Sequence, residues 1–387
     1  MVLGSTPADA EVAVVGGGIG GLAAACALRR HGVEVRVFEQ ARRIGDVGSA
    51  LTLWPNALAA LDRIGLGDDV RAAGQPCLYG QHRDRGGRPL GYYIPPATLA
   101  AAHGDARVVS RAALVELLLA RLEPGTVQLG HRFCGYQQDD ERAPTGVTAS
   151  FDNGKRVEAT LLVGADGIHS RVREHICGPT RLRYAGAVAW LGTGHLERPQ
   201  DGDTLFWGRG ELVGVFPMTR NRAYWFATIT APHHRTWPNP PAELRRRFGA
   251  WAEPVGSLVS HSRADDLIRI ALHDLPPLPR WSDGRVTLLG DAAHPTTPYL
   301  GQGGCQALED AVVLAEQLHS VADPADALAA YERRRRSRTA LVTRMSRVIG
   351  AVSRLRHPLA CHLRDAALRM TAPLSSHGAG GLFHFDD

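Results

Sequence analysis

The chain has 387 residues, 44% of them hydrophobic and 21% charged, and a net charge of +5. That length and balance allow a large buried core in one domain or two coupled domains and exclude disorder on a large scale. The positive charge is modest and scattered apart from one short arginine run, so nucleic acid is not the expected partner.

The first element in chain order is "EVAVV", a run with the character of a buried parallel strand. Gly16, Gly18 and Gly21 then spell G-x-G-x-x-G, and "LAAACALRRHG" reads as a helix stopping at Gly32. A second strand, "VEVRVFE", ends in Glu39, about twenty residues on, as a dinucleotide fingerprint requires. Gly16 permits the tight turn, Gly18 lets backbone N–H groups approach a pyrophosphate, and Gly21 lets helix and strand pack closely. The helix N-terminus adds partial positive charge, and Glu39 is placed to accept from ribose hydroxyls. The fingerprint alone does not separate FAD from a nicotinamide dinucleotide. The uncharged stretch from 12 to 28 that contains it is too short and glycine-rich for a membrane span and lacks the start and cleavage region of a signal peptide.

"VGSALTLWPNALAALDRIGLGDDV", residues 47–70, reads as a strand, a helix and a glycine stop, and "VVSRAALVELLLARL" carries Arg111 into a helix's first turn. "VEATLLVGADGIHSRVREHI", residues 157–176, is a strand leading to Gly164, Asp166 and Gly167 with a helix opening near Ser170. From 181 to about 275, the alternating runs "AVAWLGTGHL", "DTLFWGRG", "ELVGVFPM" and "RAYWFATI" predict an antiparallel sheet, joined by "CLYGQHRD" and "RPLGYYI". "RVTLL" leads into "GDAAHPTTPYLGQGG", a long loop with Asp291 at its head and a helix starting near Gly304 and Cys305. The run "RRRRSR" at 333–338 continues a helical pattern and reads as a solvated helix face, a nucleic-acid patch being the alternative. The tail "SSHGAGGLFHFDD" reads as loose. Cys26, Cys77, Cys134, Cys177, Cys305 and Cys361 form no Cys-x-x-Cys pair, so free thiols in a cytoplasmic protein are expected.

The N-terminal fingerprint, the "GADG" segment and the "GDAAHP" segment together resemble the FAD-dependent aromatic monooxygenases, the group that includes para-hydroxybenzoate, salicylate and 3-hydroxybenzoate hydroxylases. The resemblance runs nearly the length of the chain. It implies an α/β fold: a Rossmann-type FAD-binding domain with an inserted antiparallel-sheet substrate domain and C-terminal helices. The implied divisions are 8–76, 104–180 and 280–322 for FAD, 77–103 and 181–279 for substrate, and 323–387 for the closing helices and tail.

The resemblance assigns Asp166 to cofactor positioning, Asp291 to the ribityl chain, and Arg111 to the FAD phosphate or ribityl region. It lays the loop carrying Pro295, Gly301, Gly303, Gly304 and Cys305 along the isoalloxazine, where proline and glycine leave main chain free to approach a flat ring. Residues 47–56 resemble the family's G-A-G-I-x-L-x-P-N-A, with Ala50 where a glycine is usual. Trp207, Phe216 and Tyr224 are the substrate candidates on the sheet, with core packing as the bland alternative. His294 invites a metal or general-base reading, but no further ligand stands at metal spacing. Cys305 reads as a small residue at a helix start rather than a nucleophile.

The implied chemistry uses NADPH or NADH to reduce FAD, then O₂, which adds at flavin C4a and passes one oxygen to an electron-rich ring. The implied partner is a small aromatic molecule, on a monomer or homodimer, with no membrane span. A flavin-dependent halogenase is disfavoured because W-x-W-x-I-P is absent. A flavin oxidase or reductase, or a non-catalytic FAD-holding protein, stays open.

Overall fold

The computed structural model describes residues 11–44, 50–101, 106–140, 145–371 and Phe385. Val47, Gly48 and Ser49, and all of the tail 375–387 except Phe385, lie outside the described residues.

A five-stranded parallel sheet runs in the order Val286–Leu288, Leu161–Gly164, Glu11–Val15, Glu34–Glu39, Val127–Leu129. Its central strands are β-branched and fully buried because helices or other layers cover both faces. The register is what places the site. Val15 is level with Phe38 and with Gly164, and Gly164 with Leu288, so the loops that follow these four strands open on one edge. The alanine-rich helix Ile19–Arg30 packs closely on the late helix Gly303–Ser320, small side chains letting the two backbones approach.

The second large element is a seven-stranded sheet in the order Ile268–Asp274, Arg183–His195, Arg222–Thr230, Glu211–Thr219, Asp203–Trp207, Gly80–Asp84, Pro89–Ile94. It is antiparallel except where Asp203–Trp207 runs parallel to Gly80–Asp84. Alternation gives it two apolar faces. One buries Trp190, Phe206, Val213 and Trp225 against the helices Pro240–Phe248 and Val255–Ser260, which the sequence pattern had not suggested. The other turns Leu205, Trp207, Leu212, Tyr224 and Phe226 into the core shared with the parallel-sheet half. Helices Pro324–Ser353 and Pro358–Thr371 close the structure, the first capped by Asp323, whose side chain accepts from the Asp326 amide at 3.0 Å. Among the described residues no helix is long and apolar enough to cross a membrane.

The two halves meet at a buried carboxyl. Asp203 has no exposed surface and accepts from Thr52 Oγ1 at 2.6 Å, tying the strand Ala50–Leu53 to the seven-stranded sheet. Burial raises its carboxyl to about 7, against hydrogen bonds from Thr52 and Cys77 that lower it. A folded-state value above the unfolded one of about 3.9 means the contribution is full below about pH 4 and is lost as pH rises towards 7. Asp203→Asn keeps an acceptor for Thr52 and removes the titration. Its unfolding free energy in urea should therefore be nearly flat from about pH 5 to about pH 8, while the parent chain loses stability over that interval.

Candidate cofactor and substrate site

The glycine turn is fixed by contact, not by propensity alone. Gly16 sits at φ +112°, and a Cβ there would lie 2.3 Å from the Ala165 carbonyl oxygen. At Gly21 a Cβ would lie 2.0 Å from the Gly16 carbonyl oxygen, so helix Ile19–Arg30 can approach the turn only with glycine here. Gly18 differs, since the nearest atom to its built Cβ is an Arg111 guanidinium nitrogen at 3.9 Å. Its outer side is open towards a cation, as a pyrophosphate requires. Arg111 reaches that place from the first turn of helix Arg111–Ala120, whose Ser110 cap accepts from the Ala113 amide at 3.1 Å.

Glu39 closes the second strand. Its carboxylate accepts from the Gly17 amide at 2.7 Å and the Ala41 amide at 2.8 Å, which fixes it beside the turn. These residues border a cleft of about 370 Å³ whose walls include Gly16, Gly18, Glu39, His131, Asp166 and Arg171. Asp166 Oδ2 accepts from the Arg171 and Val172 amides at 2.7 and 3.2 Å, so it caps the helix Arg171–Cys177 together with Ser170. Burial raises the Asp166 carboxyl, opposed by those hydrogen bonds, and its Oδ1 is buried without a partner. An orphaned acceptor beside an open glycine turn and a fixed carboxylate fits a nucleotide with hydroxyl donors.

The long loop after strand Val286–Leu288 begins with Gly290 at φ +63°. Asp291 is exposed to solvent, yet protein crowds its carboxyl from the other sides. That crowding raises its carboxyl, against the charges of His294, Arg111 and Arg173. Further along, Gly301 is left-handed at φ +63°, and a Cβ there would lie 3.2 Å from Trp54 Nε1. Helix Gly303–Ser320 starts after Gln302, and at Gly304 a Cβ would be 3.7 Å from Leu51. Pro295 lies in the middle of the same loop. Cys305 turns away from it: its thiol is buried, donates to the Thr52 and Gly301 carbonyls at 3.6 Å, and is pushed by burial to about 12. It is neither a nucleophile nor a side-chain ligand, and only its amide faces the helix end.

Two sets of residues that hold this loop escaped the sequence reading. Arg173, buried within the helix Arg171–Cys177, donates to the Ile168 carbonyl at 2.7 Å and the Ala292 carbonyl at 3.0 Å, stapling the "GADG" and "GDAAHP" segments together. Asp310 accepts from the Gly290 amide at 3.0 Å, from His294 Nε2 at 2.6 Å and from Arg335 Nε at 2.7 Å. Burial disfavours its charge, but His294 and Arg335 outweigh that and bring the carboxyl down to about 2. Beside it, Glu309 pairs with Arg335 and Arg338 and accepts from Asn56.

The reading of 333–338 as a solvated face is thereby corrected. Arg333 and Arg334 are exposed, but Arg335 is buried and Arg338 largely so, because the facing helix presents Glu309 and Asp310 to them. His294 is likewise a member of this network, and among the described residues no cluster suited to a metal occurs.

On the sheet, Phe216 and Tyr224 are cross-strand partners with rings 5.7 Å apart, and Phe216 stacks on Phe226 at 5.6 Å. Trp207 is not beside them. It is level with Leu212, four residues along the neighbouring strand from Phe216, and donates from Nε1 to His82 Nδ1 at 3.0 Å beneath Arg364.

Parallel sheet, glycine turn, acidic strand end and a bare-backbone loop on the carboxyl edge define a dinucleotide-binding α/β protein with an attached sheet that can cover its cofactor. A profile described as "FAD binding domain" matches residues 9–346. Aurachin C monooxygenase/isomerase of Stigmatella aurantiaca is 35% identical over 364 residues, covering 93% of this chain and 94% of that protein. FAD-dependent urate hydroxylase of Klebsiella pneumoniae is 37% identical over 329 residues, 83% and 85% of the two chains. The 3-amino-4-hydroxybenzoate 2-monooxygenase PtnB3 of Streptomyces platensis is 37% identical over 371 residues, 92% of each. The crystal structure of Klebsiella pneumoniae HpxO complexed with FAD and uric acid superposes with a TM-score of 0.89 at 32% identity, covering 97% and 96%. The chain belongs to the FAD-dependent aromatic monooxygenases, and FAD is its cofactor.

The Asp310 network yields a direct test. Asp310→Asn takes from His294 its carboxylate partner and from Arg335 one of its two, Glu309 remaining, a loss of up to about 3–5 kcal/mol for a disrupted buried pair. The thermal midpoint should fall, and less FAD should be retained per chain after gel filtration, read from flavin absorbance. Unchanged occupancy would mean that the network does not hold the loop.

Proposed function

We propose that this protein oxygenates an aromatic or other electron-rich small molecule at the expense of NADPH or NADH and O₂. When bound, FAD supplies the electron storage and oxygen activation for which no side chain is suited. The chain's own part is to bind, orient and exclude water. Residues 8–76, 104–180 and 280–322 hold the cofactor, 77–103 and 181–279 hold substrate, and 323–387 supply the C-terminal helices and a loose tail.

The turn at Gly16, Gly18 and Gly21, with the N-terminus of helix Ile19–Arg30, receives the pyrophosphate, and Arg111 adds its charge there. Glu39 accepts from the adenosine ribose, Asp166 presents its free oxygen to the cofactor, and Asp291 holds the ribityl chain. Pro295, Gly301, Gly303 and Gly304 lay main chain along the ring. The free N–H groups at the start of helix Gly303–Ser320, including that of Cys305, favour negative charge at the ring's pyrimidine end. Phe216 and Tyr224 cover the substrate, and Trp207 buttresses their sheet from a distance. The nicotinamide donor docks transiently near Asp166, since the chain carries one clear dinucleotide fingerprint.

The observation that carries this reading is a pair of features: loop Gly290–Leu300, followed by left-handed Gly301, offers backbone to a flat ring, and the seven-stranded sheet carries Phe216 stacked on Phe226. The deciding experiment incubates holoprotein with NADPH or NADH, ¹⁸O₂ and candidate aromatics. A product heavier by one labelled oxygen is expected. Hydrogen peroxide without labelled product would favour an oxidase, a reduced product without oxygen insertion a reductase, and no nicotinamide consumption with any ligand a non-catalytic FAD holder.

A second expectation concerns Glu39. Glu39→Arg places a cation where ribose hydroxyls need an acceptor and removes the acceptor for the Gly17 amide. FAD affinity measured by titrating apoprotein should drop about tenfold or more, with Glu39→Gln intermediate. An unchanged dissociation constant would remove Glu39 from the ribose site.

A further inference from the structure

The inner sheet face has a definite chemical character. Leu191, Phe226, Gly214 and Leu205 lie in one cross-strand row, with Thr193, Tyr224 and Phe216 in the next. A Cβ on Gly214 would meet the Phe226 and Phe216 rings at 2.6 and 2.7 Å, so the rings lie down over the glycine and form a flat surface. Leu191, Thr193 and Phe216 stay partly exposed although they face inwards, so this surface is open to a ligand.

Charge is kept off it. Asp203 is fully buried against Thr52, and burial holds His82 neutral, its pKa near 3, with Nδ1 taken by Trp207. Two arginines flank the patch, and one of them reaches its edge. Arg183 is bonded to Asp274 at 2.8 Å, and Arg222, exposed at its strand end, donates to Thr193 Oγ1 at 3.2 Å. Arg364, over Trp207, is bonded to the Gly208 carbonyl and to Asp365. Residues 45–49 and 102–105 contain no lysine or arginine.

We propose that the site takes an uncharged apolar aromatic ring system, gripped by stacking on Phe216 and Phe226, and discriminates against ring carboxylates. This rests on the monooxygenase reading above. A carboxylate carried over Gly214 loses its water among Leu191, Leu205, Phe216 and Phe226, none of which can pair with it, whereas a neutral ring gains aromatic contact. Tyr224, whose hydroxyl has no hydrogen-bond partner among the described residues, supplies a single polar contact for a phenol or ring carbonyl. A benzoate needs a positive group within reach of its acid, and Arg222 is bonded at Thr193, in the row next to that of Gly214.

The test compares 2-naphthol with 6-hydroxy-2-naphthoate on oxidised holoprotein, reading flavin absorbance change and thermal shift, neither of which needs turnover. Naphthol should bind about tenfold or more tightly than naphthoate, and Arg222→Ala should leave both constants within about twofold. Leu191→Arg, which places a cation on the patch, should narrow the ratio by raising naphthoate affinity. Equal or tighter binding of naphthoate by the parent chain, or no binding of naphthol at millimolar concentration, overturns the proposal, and loss of naphthoate binding in Arg222→Ala would relocate recognition to the rim. Failure of the monooxygenase reading would look different: naphthol would bind with the stated preference, yet no ligand would yield labelled oxygen.

Discussion

Asp310 ties together three parts of the chain that have no other reason to stay in register. Its two carboxylate oxygens hold the head of the Gly290–Leu300 loop, the imidazole of His294 within that loop, and Arg335 on the helix Pro324–Ser353. Asp310 itself rides on the helix whose first turn carries Gly303 and Gly304. Loop, helix start and closing helix therefore move as one body. A long loop whose only regular structure is two short 3-10 turns, Gly290–Ala292 and Pro298–Leu300, needs such an anchor, because few of its backbone groups satisfy one another. The arrangement is high-stakes in energy: a fully bonded buried set fixes one geometry, while removal of any member leaves charge in the interior.

The same logic explains the arginines. Arg173 spans two loops by donating to the Ile168 and Ala292 carbonyls, and its Nε donates to Thr180 Oγ1 at 2.9 Å. Burial lowers its pKa, and nearby acids including Asp166 and Asp291 counter that. Its charge is one of those, with His294 and Arg111, that favour the ionised form of Asp291. The loops on the carboxyl edge of the parallel sheet are thus held from below by side chains, leaving their outer surface as bare backbone.

Local patterns carried the architecture well. The β-branched run before Gly16, the acid at Glu39 and the alternating runs between 183 and 230 state strand, turn and strand in short windows, and the structure has those elements. What a short window cannot contain is a partner. Arg335 reads like Arg333 until the helix twenty-five residues earlier supplies Asp310, and the register that sets Trp207 four residues from Phe216 depends on how neighbouring strands slide. Cys305 had the correct position at a helix start, but its rotamer, which decides whether sulfur faces the cleft or the Thr52 strand, is a packing outcome. Helices Pro240–Phe248 and Val255–Ser260 were hidden by prolines and arginines that read as loop, and they exist because the back of the sheet needs a cover.

The strand Val286–Leu288 lies beside Leu161–Gly164 although some 120 residues of chain, the whole second sheet among them, separate the two. During synthesis the parallel sheet must therefore wait. Its strand Leu161–Gly164 emerges early with an unpaired, apolar edge and keeps it until the ribosome has delivered nearly three quarters of the protein. Pairing at such separation is slow, because loop closure precedes any reward in contacts. Newborn chains thus pass through a stage in which one half is assembled with an open side, the condition under which edge strands join the wrong neighbour. Conditions that slow translation before residue 286 lengthen that exposure.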